Sequence, residues 1–323
     1  MFRAAIRSRT CVRTSAMAYY LGIDAGGTKT RCVLADETVV LAKAMAGGSN
    51  IVRLGERQAR EALQTAIRQV CSAAEISPSQ IRAICIGAAG AARPEMAAKI
   101  RSIINELVAG GSTRVEVVGD SEIALEAAFG AGPGVIAIAG TGSIVYGRDA
   151  NGRTARAGGW GFAVSDEGSG HWIGRSAVSA ILSSHDQGRE TALTALVLRS
   201  CRLETIDELV QWANSTPPPD FPRLFPIVLR AAAEGDIEGD TVARDLLADA
   251  GARLAALAVI VERRLMSGTE AGLPIAMTGS VFRQSREVRE AFYNVLRESF
   301  PEIVVLQDPV DPVEGAIARA RRK

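Results

Sequence analysis

Two short apolar runs separated by a glycine-rich turn begin the patterned part of the chain. The runs are Tyr20–Asp24 and Arg31–Leu34. The turn between them consists of Gly26, Gly27, Thr28 and Lys29. This pattern predicts a β-hairpin. Because glycine leaves the backbone N–H groups of a turn accessible, such a turn can bind the oxygens of a phosphate.

A second hairpin of the same kind is predicted at Gly134–Gly147. Its turn consists of Gly140, Thr141, Gly142 and Ser143. The pair Gly140-Thr141 repeats Gly27-Thr28 about one domain length further along the chain, which indicates an internal duplication. Two such turns that face each other across a cleft could clamp a polyphosphate from both sides.

Neither turn matches the common nucleotide-binding loops. Gly22 and Gly27 have the Walker spacing, but Thr28 occupies the lysine position and the following residues are strand-like rather than helical. The dinucleotide fingerprint also requires a helix after its glycines. An ordinary hairpin with a glycine turn is the alternative interpretation of each turn.

Strand and helix patterns alternate between the two hairpins. The predicted elements are a strand at Val39–Met45, a helix at Arg57–Ala74, a strand at Ile81–Ile86, a helix at Pro94–Leu107, a strand at Val115–Val118 and a short helix at Ser121–Phe129. This alternation implies a central sheet covered by helices. Asp120 follows the last of these strands, at the edge of such a sheet where ligands bind.

Helical patterns dominate the chain after the second hairpin. The predicted elements are helices at His171–Ser183 and Glu190–Cys201, a loop at Asn214–Pro222, a long helix capped by Asp240, strands at Leu273–Met277 and Ile303–Leu306, and a final helix. Asp311–Glu314 forms a predicted capping box, with Pro312 at the first helical position.

Composition narrows the function classes. The 323 residues are 47% apolar, and 37 basic residues against 36 acidic ones give a net charge of +1, which does not suggest a nucleic-acid partner. The longest apolar stretches, such as Ala255–Val261, are too short to span a bilayer. The cysteines are scattered without a C-x-x-C motif, at positions 11, 32, 71, 85 and 201. We therefore expect a reducing, cytoplasmic location with neither disulfides nor a zinc or iron–sulfur site.

Residues 1–17 differ from the remainder of the chain. Four arginines lie in this segment, and the first acidic residue of the protein is Asp24. The segment is either an organellar targeting peptide or an over-long start that precedes the true initiator, Met17. We favour the second explanation and exclude residues 1–17 from the fold.

One further pair of motifs carries a family resemblance. Gly158-Gly159-Trp160-Gly161 is followed by Ser165–Ser169. With the two hairpins, these motifs resemble the sugar kinase/heat-shock protein 70/actin superfamily from about Tyr19 to the C-terminus. Within it the chain is similar to the N-acetylglucosamine kinase group, also called the BadF/BadG/BcrA/BcrD ATPase type.

The resemblance implies an α/β fold with two duplicated actin-like, or ribonuclease H-like, domains. Each domain has a central mixed sheet flanked by helices, and ATP binds in the cleft between them. The first domain would comprise residues 18–119 and 311–323, and the second residues 120–310. Pro312–Ala316 resembles the hinge segment between the domains.

Roles toward Mg·ATP follow from the same resemblance. Asp24 would hold Mg²⁺ through water, although a carboxylate that caps its own turn is the alternative. The two turns would bind the phosphates through Gly26, Gly27, Thr28 and Lys29 on one side and Gly140, Thr141, Gly142 and Ser143 on the other. Gly279 and Ser280 resemble the adenosine-binding turn. For Thr141 and Ser143, the alternative is a purely structural turn hydroxyl.

Roles toward a sugar are implied as well. Asp120 matches the catalytic general base, with a helix N-cap as the alternative. The predicted sugar contacts are Asn50, Asp120, Asp166, Gly159, Trp160 and Gly161. Asn50 could instead be an ordinary turn residue, and Trp160 could either stack on a sugar or belong to the core. The Gly87–Ala92 loop lacks the serine of animal members, so N-acetylglucosamine, glucosamine and a muramic derivative all remain open.

Three functions are consistent with these residues. The first is an ATP-dependent kinase for an amino sugar, by resemblance at the 6-hydroxyl of N-acetylglucosamine. The second is an ATPase that activates a 2-hydroxyacyl-CoA dehydratase through a cysteine-held iron–sulfur cluster at a dimer interface. The third is a non-catalytic nucleotide- or sugar-sensing module. A homodimer is compatible with the family.

Overall fold

A computed structural model describes residues 17–91, 93–108, 112–233, 239–266 and 272–322. The predicted N-terminal extension, apart from Met17, lies outside the described residues. Ala92 of the Gly87–Ala92 loop lies outside them as well.

The first sheet contains both strands of the first hairpin. Its strands are β1 (Tyr19–Ala25), β2 (Lys29–Ala35), β3 (Val40–Gly47), β4 (Ile81–Ala88) and β5 (Arg114–Gly119). They lie in the order β3-β2-β1-β4-β5. The pairs β1–β2 and β2–β3 are antiparallel, whereas β1–β4 and β4–β5 are parallel. The predicted mixed sheet is therefore confirmed.

Among the described residues, four α-helices lie between or directly after the strands of this sheet in the chain. They are α1 (Ile51–Leu54), α2 (Glu56–Ala73), α3 (Pro94–Leu107) and α4 (Asp120–Phe129). On α2 the buried residues include Leu63, Ile67 and Val70, which follow the helical spacing that predicted the element. These residues and the buried face of the sheet form one apolar core.

The second sheet repeats the topology of the first. Its strands are β6 (Gly134–Ala139), β7 (Ser143–Arg148), β8 (Thr154–Gly158) and β9 (Ile275–Thr278), in the order β8-β7-β6-β9. The pairs β6–β7 and β7–β8 are antiparallel and β6–β9 is parallel. Since β1 to β4 have the same pairing pattern, the predicted duplication is confirmed. The predicted domain boundaries remain a prediction.

The predicted strand at Ile303–Leu306 is wrong. This segment makes only an isolated parallel bridge, between Ile275 and Val305. Ile275 N donates to Val304 O and Leu306 N donates to Ile275 O, both at 2.8 Å. Met277 O next accepts from Val310 N at 2.8 Å, four residues after Leu306, whereas the donors of a regular parallel ladder advance by two residues, so the ladder is interrupted here. The apolar pattern was real, because Ile303 and Val305 are buried, but the backbone pairing is too short for a strand.

The second sheet is covered by helices. They are α5 (Gly170–Asp186), α6 (Ala192–Cys201), α7 (Ile206–Ala213), α8 (Phe225–Ala233), α9 (Thr241–Leu265), α10 (Ser280–Gln284) and α11 (Arg286–Ser299). The predictions for α5, α6 and α9 are confirmed, whereas α7, α8 and α11 were not predicted. Within the described ranges, the protein contains no helix with both the length and the apolar character that crossing a bilayer requires.

The last helix, α12 (Pro312–Arg321), packs closely on the first sheet. Asp311 caps it by accepting from Val313 N at 3.2 Å, and Pro312 is its first residue, so the predicted N-cap and proline position are confirmed, while the return bond of the capping box from Glu314 stays a prediction. A Cβ atom on Gly22 of β1 would lie 2.5 Å from Ile317 N, and a Cβ atom on Gly315 would overlap Ile123 O of α4. Glycine at positions 22 and 315 thus lets α12 approach both β1 and α4.

Candidate active site

The turn between β1 and β2 is held by the loop that precedes α1. Gly26 N donates to Lys29 O at 3.0 Å and closes the turn. Ser49 N and Asn50 N both donate to Gly26 O, at 3.0 and 3.2 Å. The side chains of Thr28 and Lys29 are exposed. The turn therefore presents a hydroxyl and an ammonium group on a backbone that the neighbouring loop fixes.

The turn between β6 and β7 is held by the N-terminus of α5. Gly140 N donates to Gly142 O at 2.9 Å. From α5, Gly170 N donates to Gly140 O at 2.8 Å and His171 N donates to Thr141 O at 3.2 Å. This turn is thus anchored through its carbonyl oxygens, and the half-buried hydroxyl of Thr141 remains available.

The two turns meet. A Cβ atom placed on Gly27 would lie 3.8 Å from Oγ1 of Thr141. The expectation that the turns face each other is therefore confirmed. Their approach brings two glycine-rich turns together into one candidate anion-binding region.

The predicted adenosine turn adjoins this region. Gly279 has a φ of +107°, and a Cβ atom on it would overlap Ala139 O at the end of β6. A Cβ atom on Gly140 would lie 4.0 Å from Oγ of Ser280. Glycine is required at position 279 both by its backbone conformation and by this close approach.

Ser143 and Asp166 support the second turn from within. Ser143 is buried, and its hydroxyl donates to Glu167 O at 2.7 Å. The Asp166 carboxylate accepts from Ser143 N, and burial raises its pKa. A Cβ atom on Gly142 would lie 2.8 Å from Oδ2 of Asp166. The geometry gives the Ser143 hydroxyl the structural role that was the alternative, and it gives Asp166 a supporting role beside any contact with sugar.

Asp24 and Asp120 lie at the same edge of the first sheet. Asp24 is near the end of β1, and Asp120 directly follows β5. Burial first, and then the charge of Asp24, raise the pKa of Asp120 to about 6. Asp120 is not the N-cap of α4, because Gly119 occupies that position and its N–H donates to Glu122 Oε1 at 3.0 Å. A carboxylate with a raised pKa at a cleft is suited to accept a proton near neutral pH.

Arg31 joins Asp24 to the start of α12. Its Nη2 lies 2.7 Å from Asp24 Oδ2, and its Nη1 lies 2.8 Å from Asp311 Oδ1. Desolvation, followed by the charges of Arg31 and Arg283, lowers the pKa of Lys29. Neither Arg31 nor Arg283 was predicted as a site residue. Its place within the first hairpin could have indicated Arg31 as a site residue. Arg283 lies in no motif that would have indicated such a role.

The carboxylates fit a magnesium ion. Mg²⁺ typically binds one or two carboxylates and keeps several waters. Only Oδ2 of Asp24 is engaged by Arg31, and a divalent cation would offset the repulsion between Asp24 and Asp120 that raises the pKa of the latter. The described residues contain no metal site built from three or more His, Cys, Asp or Glu side chains. A magnesium ion here would therefore have only one or two carboxylate ligands and would keep several waters.

Asn50 caps α1. Its Oδ1 accepts from Val52 N at 3.0 Å and from Arg53 N at 3.2 Å. This is the turn role that the sequence left open. The cap uses the side-chain oxygen and leaves the two N–H donors of the amide for a ligand, so a sugar contact by Asn50 stays a prediction.

The segment that contains Trp160 is exposed. Trp160 is 70% exposed, so it does not belong to the core. The guanidinium of Arg156 lies 4.0 Å from the centre of its ring. Gly159 and Gly161 have φ values of +70° and +105°, which glycine adopts without strain. Contact between this segment and a sugar stays a prediction.

Known proteins resemble this chain over nearly its whole length. It is 33% identical to the N-acetylmuramic acid/N-acetylglucosamine kinase of Clostridium acetobutylicum over 309 residues, which are 94% of this chain and 99% of the relative. It is 29% identical to the N-acetyl-D-glucosamine kinase of Dictyostelium discoideum, over 92% of this chain and 96% of the relative.

A solved structure shares the architecture. It comes from Chromobacterium violaceum, and its assignment as an N-acetylglucosamine kinase is itself a proposal. The TM-score is 0.73 at 28% identity, with 94% of this chain and 98% of that chain covered. The model of the BadF/BadG/BcrA/BcrD ATPase family matches residues 21–320. The chain therefore belongs to the BadF/BadG/BcrA/BcrD ATPase family.

Proposed function

We propose that this protein is an ATP-dependent kinase that phosphorylates an amino sugar, with the 6-hydroxyl of N-acetyl-D-glucosamine as acceptor. The observation that carries the proposal is the position and raised pKa of the Asp120 carboxyl group. Its pKa is raised to about 6 beside Asp24, at the sheet edge next to two converging anion-binding turns. The two curated relatives, whose names describe amino-sugar kinases, support the same function.

Phosphoryl transfer requires positioned phosphates, a cation and an oriented acceptor hydroxyl, with little covalent work by the protein. Thr28 and Lys29 from the first turn and Thr141 from the second bind the phosphate oxygens. Asp24 would hold Mg²⁺, which would supply positive charge to offset the negative charge of the transferred phosphoryl group. Asp120 accepts the proton of the attacking hydroxyl.

The sugar is held by groups on both sides of the cleft. Asn50 donates from its amide nitrogen while its oxygen caps α1. Asp166 and the Gly159–Gly161 segment contribute from the second half of the chain. Hydroxyl groups of a sugar pair well with an amide and a carboxylate, because each makes several directional hydrogen bonds.

The dehydratase-activator function receives no support from the described cysteines. Cys32, Cys71 and Cys85 are buried and Cys201 is half-buried, all as free thiols. Buried thiols cannot meet a partner subunit at a shared cluster. They do fit the reducing cytoplasm that we propose as the location.

A coupled ADP-release assay with Mg·ATP tests the proposal. The panel contains N-acetylglucosamine, N-acetylmannosamine, glucosamine, N-acetylmuramic acid, glucose and no sugar. We expect strong stimulation by N-acetylglucosamine. Stimulation by glucosamine or N-acetylmuramic acid alone would support an amino-sugar kinase and overturn the choice of acceptor. ATP hydrolysis at the same rate with and without every sugar would overturn the kinase proposal and favour the activator ATPase. The absence of any ATP turnover would favour a sensing module.

A further inference from the structure

Arg53 lies at the junction of the two phosphate-binding turns. It belongs to α1, directly after the loop that fixes the first turn. A Cβ atom placed on Gly27 would lie 3.6 Å from Nη1 of Arg53 and 3.8 Å from Oγ1 of Thr141. The guanidinium and the threonine hydroxyl therefore approach the same point of the first turn.

The other end of the same guanidinium reaches across to the second half of the chain. Nη2 of Arg53 lies 2.9 Å from Oδ1 of Asp220, at a sequence separation of 167 residues. Asp220 precedes a 3₁₀ turn at Phe221–Leu224. The ring of Phe221 packs edge-on against His171 of α5, with centroids 5.4 Å apart. Because His171 N anchors the second turn, Arg53 is linked to both turns.

The partner of Arg53 is replaceable. The side chain of Asp220 is 59% exposed and that of Arg53 is 33% exposed. Exposed ion pairs contribute little net stability. A phosphate, which carries more charge and can accept two parallel hydrogen bonds from a guanidinium, is a better partner than an exposed carboxylate.

A phosphate is also the ligand that the surroundings of Arg53 favour. Burial first, and then the charges of Arg175 and Arg53, lower the pKa of His171, whereas the charge of Asp220 raises it by less, so positive charge predominates around His171. Nη1 is directed at a glycine-rich turn, where backbone N–H groups attract anions. A carboxylate on the acceptor sugar is the other anion that could reach this position, and the test below separates the two.

We propose that Arg53 binds the terminal phosphate of the nucleotide, exchanging Asp220 for that phosphate, and thereby distinguishes ATP from ADP. The inference rests on the proposed function only for the use of ATP. It assigns a phosphate contact to a residue outside the two turns.

Binding measurements test this without turnover. Calorimetric titration of the full-length protein with a Mg²⁺-bound non-hydrolysable ATP analogue and with Mg·ADP compares wild type, Arg53→Gln and Asp220→Asn. Arg286→Gln, which removes an exposed arginine that is paired with Glu290 on the same helix, controls for a general loss of charge. Thermal melts check that each variant is folded.

We expect Arg53→Gln to lower the affinity for the ATP analogue by roughly 10- to 100-fold, which is the loss expected when a charge-assisted hydrogen bond to phosphate is removed. The affinity for ADP should change little. Asp220→Asn should keep or tighten analogue binding, because it removes the competing carboxylate. Equal weakening of both nucleotides, or no change in either, would overturn the proposal.

Turnover measurements distinguish a phosphate partner of Arg53 from a sugar carboxylate partner. They also test the Arg53 contact separately from the proposed sugar acceptor. If Arg53→Gln lowers kcat/KM only for N-acetylmuramic acid and leaves N-acetylglucosamine unaffected, Arg53 binds the sugar carboxylate and the proposal is wrong. If wild type binds the analogue with the expected Arg53 dependence but phosphorylates no sugar, the inference stands and the proposed acceptor fails.

Discussion

Asp24 and Asp120 interact across the edge of the first sheet, although they are 96 positions apart in the sequence. After burial, the charge of Asp24 is the next cause that raises the pKa of Asp120 to about 6. One carboxylate thus prepares the other for proton transfer near neutral pH. A cation held by Asp24 would weaken this effect, so the protonation of Asp120 is coupled to occupancy of the cleft.

The pH dependence of turnover follows from this pair. Asp120 acts as a base only when it is ionised, so kcat/KM for the sugar should rise with pH and level off at or below about 6, because a cation held by Asp24 during turnover would lower the pKa of Asp120 from its cation-free value of about 6. Asp24→Asn removes one of the causes of the raised pKa and should lower the pKa of Asp120. Carboxyl titration by NMR of the nucleotide-free protein measures that shift. An unchanged pKa in the variant would contradict the coupling.

Removal of the base should separate chemistry from binding. Asp120→Asn keeps the size of the side chain and should lower kcat by about 10²- to 10⁴-fold, with the affinity for ATP nearly unchanged. Asp245→Asn, on an exposed position of α9, is the matched control. Loss of ATP binding in Asp120→Asn, as judged by calorimetry, would argue against the role of general base.

Because α12 packs closely against α4, adding one methyl group at position 315 should markedly lower the free energy of unfolding. Gly315→Ala would place a Cβ atom 2.6 Å from Ala127 N and even closer to Ile123 O. Overpacking of this kind costs about 1–3 kcal/mol or more of the free energy of unfolding. Gly47→Ala, which meets no atom within 4 Å, is the control. Urea unfolding measures both, and equal stability of the two variants would contradict the packing.

Glu262 predicts a pH dependence of stability. It is fully buried, and its Oε1 has no partner among the described residues. Burial raises its pKa to about 7 from the ordinary glutamate value of about 4.5. The folded state therefore retains a proton that the unfolded state loses, and this contribution to stability decreases as pH rises from about 4.5 to about 7.

Glu262→Gln removes the charge and should eliminate that decrease. The variant should melt at a higher temperature than wild type above pH 7, while it still accepts the hydrogen bond from Leu273 N that wild type makes at 3.0 Å. Glu298→Gln, at an exposed position of α11, should leave the profile unchanged. Parallel melting profiles for wild type and Glu262→Gln between pH 5 and 8 would contradict this assignment.

Local pattern was enough to predict the two hairpins and their duplication. A strand, a glycine turn and a second strand lie within one short segment, and Gly27-Thr28 and Gly140-Thr141 make the repeat visible. The helix α11 was missed although its buried residues Val288, Phe292 and Leu296 recur every fourth position. The signal was therefore present in the sequence.

Long-range pairs could not be predicted. Arg53 and Asp220 are ordinary charged residues in the sequence, and only the fold brings them together. Neighbours also decide between two local roles, as for Ser143, whose hydroxyl is committed to Glu167 O. Pairing partners likewise decide whether an apolar run such as Ile303–Leu306 becomes a strand.

The position of the transferred phosphate tests the central claim most directly. Wild type and Asp120→Asn are incubated with Mg·ATP and N-acetylglucosamine, and the products are identified by ³¹P–¹H correlation NMR. We expect wild type to place phosphate on the 6-oxygen of the sugar and Asp120→Asn to form almost none of this product. Release of inorganic phosphate at the same rate with and without sugar, and no sugar phosphate, would contradict the assignment of this cleft as the site of an amino-sugar kinase.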